Sequence, residues 1–513
     1  MSLVLERRVF PGLAALWRWC TSVFRDDGFP QNSWAWRRVA FKLSVVAGLA
    51  LFGAVWGSVV AVAELNALYL CVALIGCVFI LLDFRIGVVL LIPLLPVSGS
   101  HVFPHAMFGI TGLNPANLLL VGTLGSYLLR GLFDRSRRRF MPRPLLWLYI
   151  VPILAAGALG SRHVGDIAPS FFVFGMVDFH DAAGYLSEQV FRPLLTVIFA
   201  LLVGAAVSRS EKPEKFLIPA LISIWVMGAM VIVLVAHSGV ALKQLAGSGE
   251  ARDFLSVLGL HANDLGRLYV IAYALLLFTW AEAKDAGLRL VLLASMGLLV
   301  VALVLTFSRG AFFGFFVVNV LFLLWRRNAK TLIFIGLMAV LGLLLLPDAV
   351  YDRVTTGSGE GLNAVSAGRV EWIWLPLLPE VLRSPIYGNG LGSILWSEAM
   401  HRADGVTILP VGHPHNAYLR ALLDMGIAGL VLMCAYFAHV WKSIRVLSVD
   451  PALSPTLRGF YQGAAAGLLT FLVTSFTDSS LTPVPEQAFL WLAIGMMYGQ
   501  RANAPVHEPR RSS

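Results

Sequence analysis

Long apolar runs separated by short polar stretches dominate the chain. A helix that crosses a bilayer needs about 20 largely apolar residues, and fewer when neighbours cover its ends. Fourteen segments qualify, at about 39–63, 67–82, 86–97, 114–130, 144–160, 190–208, 216–236, 263–281, 289–307, 311–325, 331–347, 426–441, 458–476 and 487–500. The third is too short for a simple span and contains Pro93 and Pro96, which predicts a broken or re-entrant helix buried among the others. The pattern predicts an all-α polytopic membrane protein with about 12–14 transmembrane helices and one large, mostly helical outward loop.

Charge between the runs orients them. Lys and Arg crowd the N-terminal tail, the stretches 130–143, 209–215, 284–289, 326–330 and 442–458, and the C-terminal tail with Arg510 and Arg511. The alternate loops are much poorer in both. Basic loops stay on the cytoplasmic side, so both termini are expected there. Trp17, Trp19, Trp34 and Trp36 stand among arginines in the tail, which suits a helix lying in the headgroup layer. The expected organisation is a cytoplasmic amphipathic tail (1–38), eleven membrane helices (39–347), a large outward loop (348–425), three more helices (426–500) and a short cytoplasmic tail (501–513). The large loop holds Trp372, Trp374, Tyr387, Trp396 and several prolines, so it is expected to fold rather than to wander. A structured outward loop on such a body points to chemistry at the outer face.

Composition agrees with the pattern and removes other classes. Hydrophobic residues make up 58% of the 513 and charged residues only 13%, against about 25% charged in soluble domains; the mean hydropathy is +0.78. A net charge of +10 does not imply nucleic acid, because the charges lie between apolar runs. Cys20, Cys71, Cys77 and Cys434 have no zinc-ligand spacing and predict no disulfide framework. The arginine-rich N-terminus lacks a small-residue cleavage site after an apolar core, so no cleavable signal is expected. No internal repeat is evident.

Few residues stand out chemically. Arg309, in Ser308-Arg309-Gly310, lies directly between two apolar runs. An ionisable residue at that depth either marks a functional site or snorkels to the headgroups. Gly310 would let another group approach closely. Arg369 follows Gly368 in the large loop; alone it could equally be a surface arginine paired with Glu360 or Glu371. Arg353, Arg383, Arg402 and Arg420 share that region. Several convergent guanidinium groups at an outer face suit a lipid-linked pyrophosphate, since each can grip two oxygens.

His413-Pro414-His415-Asn416 closes the loop. Asn416 is a good N-cap, and 417–425 reads as a helix of about two turns ending at Gly426. His415 would then stand at a helix N-terminus, which disfavours its protonated form and suits a general base. A capping or structural histidine is the competing reading. In His261-Ala262-Asn263-Asp264, Asn263 could cap the next span, or His261 and Asp264 could line a site. Gly388-Asn389-Gly390-Leu391-Gly392 lacks the strand–helix unit of a dinucleotide loop. Ser479 and Ser480 have no evident base nearby, and no clustered donors suggest a metal.

Three of these segments, in this order, resemble the O-antigen ligase and polymerase superfamily: Ser308-Arg309-Gly310 at a span end, Gly368-Arg369 in a long loop, and the His-Asn segment closing it. The last is the most specific. The family pattern is His-Asn, nine residues, Gly, two residues, then Gly, Thr or Tyr; the chain reads His415-Asn416, 417–425, Gly426, Ile427-Ala428, Gly429. Pro385-Ile386-Tyr387-Gly388-Asn389-Gly390 also looks like the family's turn after the loop helix. The resemblance covers about 255–440; the long N-terminal tail and the number of candidate spans depart from the roughly twelve helices usual in such ligases.

The resemblance implies a GT-C-like, metal-independent, inverting glycosyltransferase of the bacterial inner membrane, needing no cofactor. It implies a donor glycan on undecaprenyl pyrophosphate at the periplasmic face. Arg309 and Arg369 would hold the pyrophosphate and His415 would activate the acceptor hydroxyl, with His413, Asn416, Asn263 and Gly426 in support. The acceptor would be another lipid-linked glycan in a polymerase of exopolysaccharide or O-antigen repeat units, or the lipid A core in a ligase; a protein acceptor is a third form. The lack of a large basic outward stripe favours the polymerase. Other polysaccharide assembly proteins are expected partners, nucleic acid is not. A lipid-linked oligosaccharide flippase is the alternative of another class. Flippases show repeated halves and charges along a central path, whereas the unusual ionisable residues here cluster on one side.

Overall fold

The computed structural model describes residues 69–100, 106–107, 110–111, 114–133, 141–240, 244–245, 250–326, 336–337, 348–355, 368–401, 411–477 and 480–503, with 48, 333, 361, 363 and 366 besides. The expected spans at 39–63 and 331–347 therefore lie almost wholly outside the described residues. So do the N-terminal tail, the basic stretch 134–140, Arg402, Glu360, Ser479 and the side chain of Arg353. The chain divides into two units, Met1–Leu74 and Ile75–Ser513. Only residues 48 and 69–74 of the first are described; the account below concerns the second.

Every expected span on described residues is a helix. After an apolar helix over Tyr69–Leu82 come α1 (Phe84–Val97) and α2 (Pro115–Phe133), then α3 (Arg143–Asp166), α4 (Ala182–Val207), α5 (Pro213–Ser238), α6 (Ala262–Glu282) and α7 (Ala286–Leu305). They are followed by α8 (Arg309–Trp325), the loop helix α9 (Leu375–Arg383), α10 (Ala417–Val449), α11 (Pro455–Thr474) and α12 (Ala488–Asn503). Six of these, α3 to α7 and α10, are long and apolar enough to cross a membrane. The extended structure among the described residues is a two-residue antiparallel ladder, with Ala106 opposite Thr111 and Met107 opposite Ile110. The fold is all-α and polytopic.

α1 corrects one expectation. It runs unbroken for 14 residues with Pro93 and Pro96 inside it. Each proline removes one N–H donor from the last turns without breaking the helical path. Asp83 caps its start by accepting from the Arg85 amide at 3.0 Å.

Small residues set the closest helix contacts, as expected where apolar burial alone gives little drive to associate. A methyl group on Gly459 or Gly463 of α11 would come within 2.6 Å of the Phe278 carbonyl or 2.5 Å of the Ala274 carbonyl of α6. Gly204 of α4 meets Gly495 and Gly499 of α12 in the same way. α6 is thereby almost enclosed, while Trp147, Leu290, Phe316 and Val431 turn outward, as a lipid-facing surface requires.

α10 departs from a simple helix, and this positions the site. Helical geometry stops at Gly426, with φ 64° and ψ −170°, and resumes to Val449. The 417–425 helix does reach Gly426, but the chain kinks there instead of ending. The break frees backbone groups, and the turn at 385–390 takes them up. Asn389 donates to the Leu423 carbonyl at 2.8 Å and Gly390 to that of Asp424 at 3.0 Å; Ile427 and Ala428 donate back to Pro385 and Ile386 at 2.8 and 3.1 Å. A Cβ on Gly426 would lie 2.3 Å from the Ile386 carbonyl oxygen, and its backbone angles are ones that only glycine adopts cheaply. Gly426→Ala is expected to lower stability by about 1–3 kcal/mol or more, read as an earlier thermal unfolding in detergent, while Ala428→Gly should change it far less.

Candidate functional site

The ends of α6, α8, α10 and α11, and the segment before α12, converge. At the start of α6, His261 is the N-cap, its Nδ1 accepting from the Asn263 amide at 3.2 Å. This corrects the expectation that Asn263 caps the helix: Asn263 is the second helical residue, and the imidazole before it has the reach. Gly266, one turn on, packs against Thr306, Ser308 and Ala311, where a methyl would lie 2.5 Å from the Ala311 Cβ.

That contact holds the tight turn that precedes α8. Phe307 is fully buried with a positive φ of 46°, a strained conformation for a bulky residue. Ser308 then caps α8, accepting from the Ala311 amide at 3.3 Å. Buried Arg252, from Glu250–Leu258, donates to the carbonyls of Thr306 and Phe307 at 3.5 and 3.2 Å. Arg309 follows as the first helical residue, half-buried.

His415 also takes a positive φ, 51°. Asn416 directly after it caps α10, its Oδ1 accepting from the amides of Tyr418 and Leu419, both at 3.1 Å. The His413 and His415 rings meet edge to face, with centroids 4.1 Å apart. The Pro414 carbonyl between them accepts from the indole of Trp374 at 2.8 Å. Trp374 ends a π-helical turn, Val370–Trp374, that begins directly after Arg369. A single turn therefore carries the arginine and grips the histidine segment; such turns recur at functional sites.

Arg369 donates to the Thr477 carbonyl at 3.4 Å, and Thr477 Oγ1 lies 3.5 Å from where a Gly310 Cβ would stand. Gly310 shares a narrow cleft with Arg267, Thr470 and Thr474. Arg267 pairs with Asp264 and, at 3.2 Å, with Glu486. Tyr418 ties the first turn of α10 to the end of α11 through the Leu472 carbonyl at 2.6 Å.

The charges act together on the histidines. Burial depresses the His415 pKa far below its ordinary value, and His413, Arg369, Arg267 and His261 push the same way. His413 falls to about 4, first through burial and then through Arg420. Both rings are therefore neutral at neutral pH. The sequence predicts a neutral His415 from the helix terminus; in the folded chain burial and nearby cations act in the same direction.

The structure thus places His413, His415, Asn416, Arg369 and the start of α8 around one region. Arg383 is placed elsewhere, paired with Glu380 and Glu398, whereas Arg420 lies 3.5 Å from Asp424 and still close enough to act on His413. Arg252 and Arg267 escape the sequence reading. Arg267 lies inside a predicted span, and its two carboxylate partners are 3 and 219 residues away. An arginine inside an apolar span, within two turns of its end, was the available signal. Among the described residues no group of three or more His, Cys, Asp or Glu side chains is placed to hold a metal ion.

Residues 294–434 match the family model described as O-Antigen ligase. Two curated relatives, both named "Putative polysaccharide ligase", are similar over part of the chain. One, from Rickettsia prowazekii, is 28% identical over 174 residues, 32% of this chain and 42% of its own length. The other, from Rickettsia conorii, is 30% identical over 150 residues, 28% of this chain and 36% of its own length. The chain thus spans roughly two fifths of these relatives.

A folded pKa below the free value means the unfolded chain takes up protons that the folded site refuses, so acidification weakens the site. In histidine-labelled protein in micelles, the ring resonance assigned by loss in His415→Gln is expected to stay in the neutral form down to about pH 5.5, a unit below the free value of about 6.5. Midpoint titration near 6.5 would show that the ring is neither buried nor surrounded by cations.

Proposed function

We propose, taking the match of residues 294–434 to the O-antigen ligase family as premise, that this multi-pass membrane protein transfers a glycan from a polyprenyl pyrophosphate to a hydroxyl acceptor at the outer face of the bacterial inner membrane. The observation that carries the reading is a half-buried histidine at positive φ, set edge-on against a second histidine in the segment that the Arg369–Trp374 turn grips, in surroundings that disfavour its charged form. The family resemblance assigns the same residues their parts.

His415 accepts the proton of the acceptor hydroxyl as that oxygen attacks the anomeric carbon. The bond from the anomeric carbon to the pyrophosphate oxygen breaks, and its electron pair leaves on the pyrophosphate. Arg369 and Arg309 neutralise the charge that develops there, which fixed guanidinium groups do without reorganising. Attack opposite the departing oxygen inverts the anomeric centre. A histidine kept neutral by its surroundings is free to accept a proton over a wide pH range, and the anionic pyrophosphate, by offsetting the arginines, would raise its basicity when the donor is bound. His413 packs edge-on against His415 and fixes the plane of its ring.

The acceptor is proposed to be another lipid-linked repeat unit, which makes the product a polymer. The second reading, attachment of finished polymer to a lipid A core, draws on the ligase names of the matched family and of the relatives. Gel analysis of surface glycans after deletion separates the two. Single repeats without long chains mean polymerase; lipid-linked polymer accumulating with none on lipid A means ligase.

His415→Ala is expected to cut transfer by about 10²–10⁴-fold while the protein still inserts and melts normally; full activity would remove the base. Arg309→Lys is expected to lose about 10²-fold or more, because an ammonium offers a point charge where a guanidinium offers a fork. Unchanged transfer in that variant would remove the pyrophosphate clamp. A flippase would show translocation of the lipid-linked glycan that is insensitive to His415→Ala.

A further inference from the structure

A second cleft lies away from the histidines, between the outer end of α3 and the 380–396 stretch. It holds about 290 Å³ and is lined by His163, Asp166, Glu380, Arg383, Asn389 and Trp396. That volume stands at the lower edge of the range of about 300–1,000 Å³ usual for small-molecule sites. Its walls are fixed by the backbone. Ala168 donates to the Leu395 carbonyl at 3.0 Å, and Leu391 to that of Ala156 at 3.0 Å; the Tyr185 hydroxyl donates to the Leu391 carbonyl at 2.6 Å.

The lining selects a ligand class. Trp396 stacks on His163, with centroids 5.5 Å apart and planes 19° off parallel. Such a pair offers a flat apolar surface with polar edges. His163 holds one oxygen of Asp166 at 3.0 Å, and the Asp166 carboxylate stays largely exposed. Asn389 gives its amide hydrogens to the Glu380 and Leu423 carbonyls at 3.0 and 3.3 Å, which leaves its oxygen as an acceptor. Two carboxylates disfavour a phosphate, and Arg383 between Glu380 and Glu398 disfavours a bare cation. A neutral polyhydroxylated ring meets every requirement: its hydroxyls donate and accept, and its C–H face lies on an indole.

The cleft also connects with the proposed catalytic segment. Ser393 Oγ, in its wall, donates to buried Asp424 at 2.9 Å. Asp424 lies eight residues along α10 from Asn416, about 12 Å at 1.5 Å per residue. A short oligosaccharide covers that distance.

We propose that this cleft is a glycan-binding subsite, which holds an uncharged saccharide of the polymer some residues away from the bond being made. Its biological role rests on the glycosyl-transfer reading; its ability to bind saccharide does not. The test uses the full chain in detergent micelles. The probe is the set of oligosaccharides released by mild acid from the producing cell's surface polysaccharide, followed by saturation-transfer NMR. Trp396→Ala is expected to weaken binding about tenfold, Trp396→Phe to retain most of it, and both to melt like the wild type. Equal binding by Trp396→Ala, no binding by the wild type, or displacement of the probe by inorganic phosphate would each overturn the subsite. If binding depends on Trp396 but His415→Ala still extends glycan in cells, the transfer reading fails and the subsite stands.

Discussion

The exchange of main-chain hydrogen bonds at the Gly426 kink is the constraint on which the rest of the site depends. A buried helix cannot be broken without leaving donors and acceptors to satisfy. Here the 385–390 turn supplies them, in both directions and at 2.8–3.1 Å. The loop is thus paired, backbone to backbone, with the helix that His415 precedes. One end of the 417–425 segment is locked by this pairing and the other by Asn416 and by the Trp374 bond to Pro414. The position of Arg369 relative to His415 follows from these two fastenings, since Trp374 and Arg369 bracket one turn.

A second constraint is electrostatic. Arginines near a histidine would be costly in a site shielded from water if their charge went uncompensated. Asp264 and Glu486 offset Arg267, one from the same helix turn and the other from 219 residues away. The histidines respond by staying neutral, and His413 does so through burial before any charge. The same arrangement that makes a neutral base available would hold an anionic group by its arginines. The proposed base and the proposed anion clamp would in this sense be one electrostatic design, and the proposed glycosyl transfer uses both halves.

Strain is concentrated where function is proposed. Phe307 and His415 are the non-glycine residues of positive φ among those described. One precedes Ser308-Arg309 and the other is the proposed base. Each is paid for by neighbours: Arg252 and the Gly266 contact at the first, the Asn416 cap and the Trp374 clamp at the second. Backbone held off its minimum in this way needs rigid surroundings, and the tight α6–α11 pairing provides them directly below.

The sequence by itself determined the helices. Their apolar length is a local property, so each expected span on described residues is found, and the cap at Asn416 is legible because a cap needs only the residues beside it. The His415-to-Gly426 spacing singled out the candidate base, but not why a glycine must stand there; that reason is the Ile386 carbonyl, 40 residues upstream. Tertiary structure alone decided the partners of charged residues. Arg267 with Glu486, Arg383 with Glu398 and Arg252 with the Thr306 and Phe307 carbonyls are pairings across distant segments, and composition assigns a charge without assigning its neighbour. For the same reason the sequence grouped the arginines of the large loop as one set. Folding separated them, setting Arg369 towards the histidines and Arg383 into the rim of another cleft.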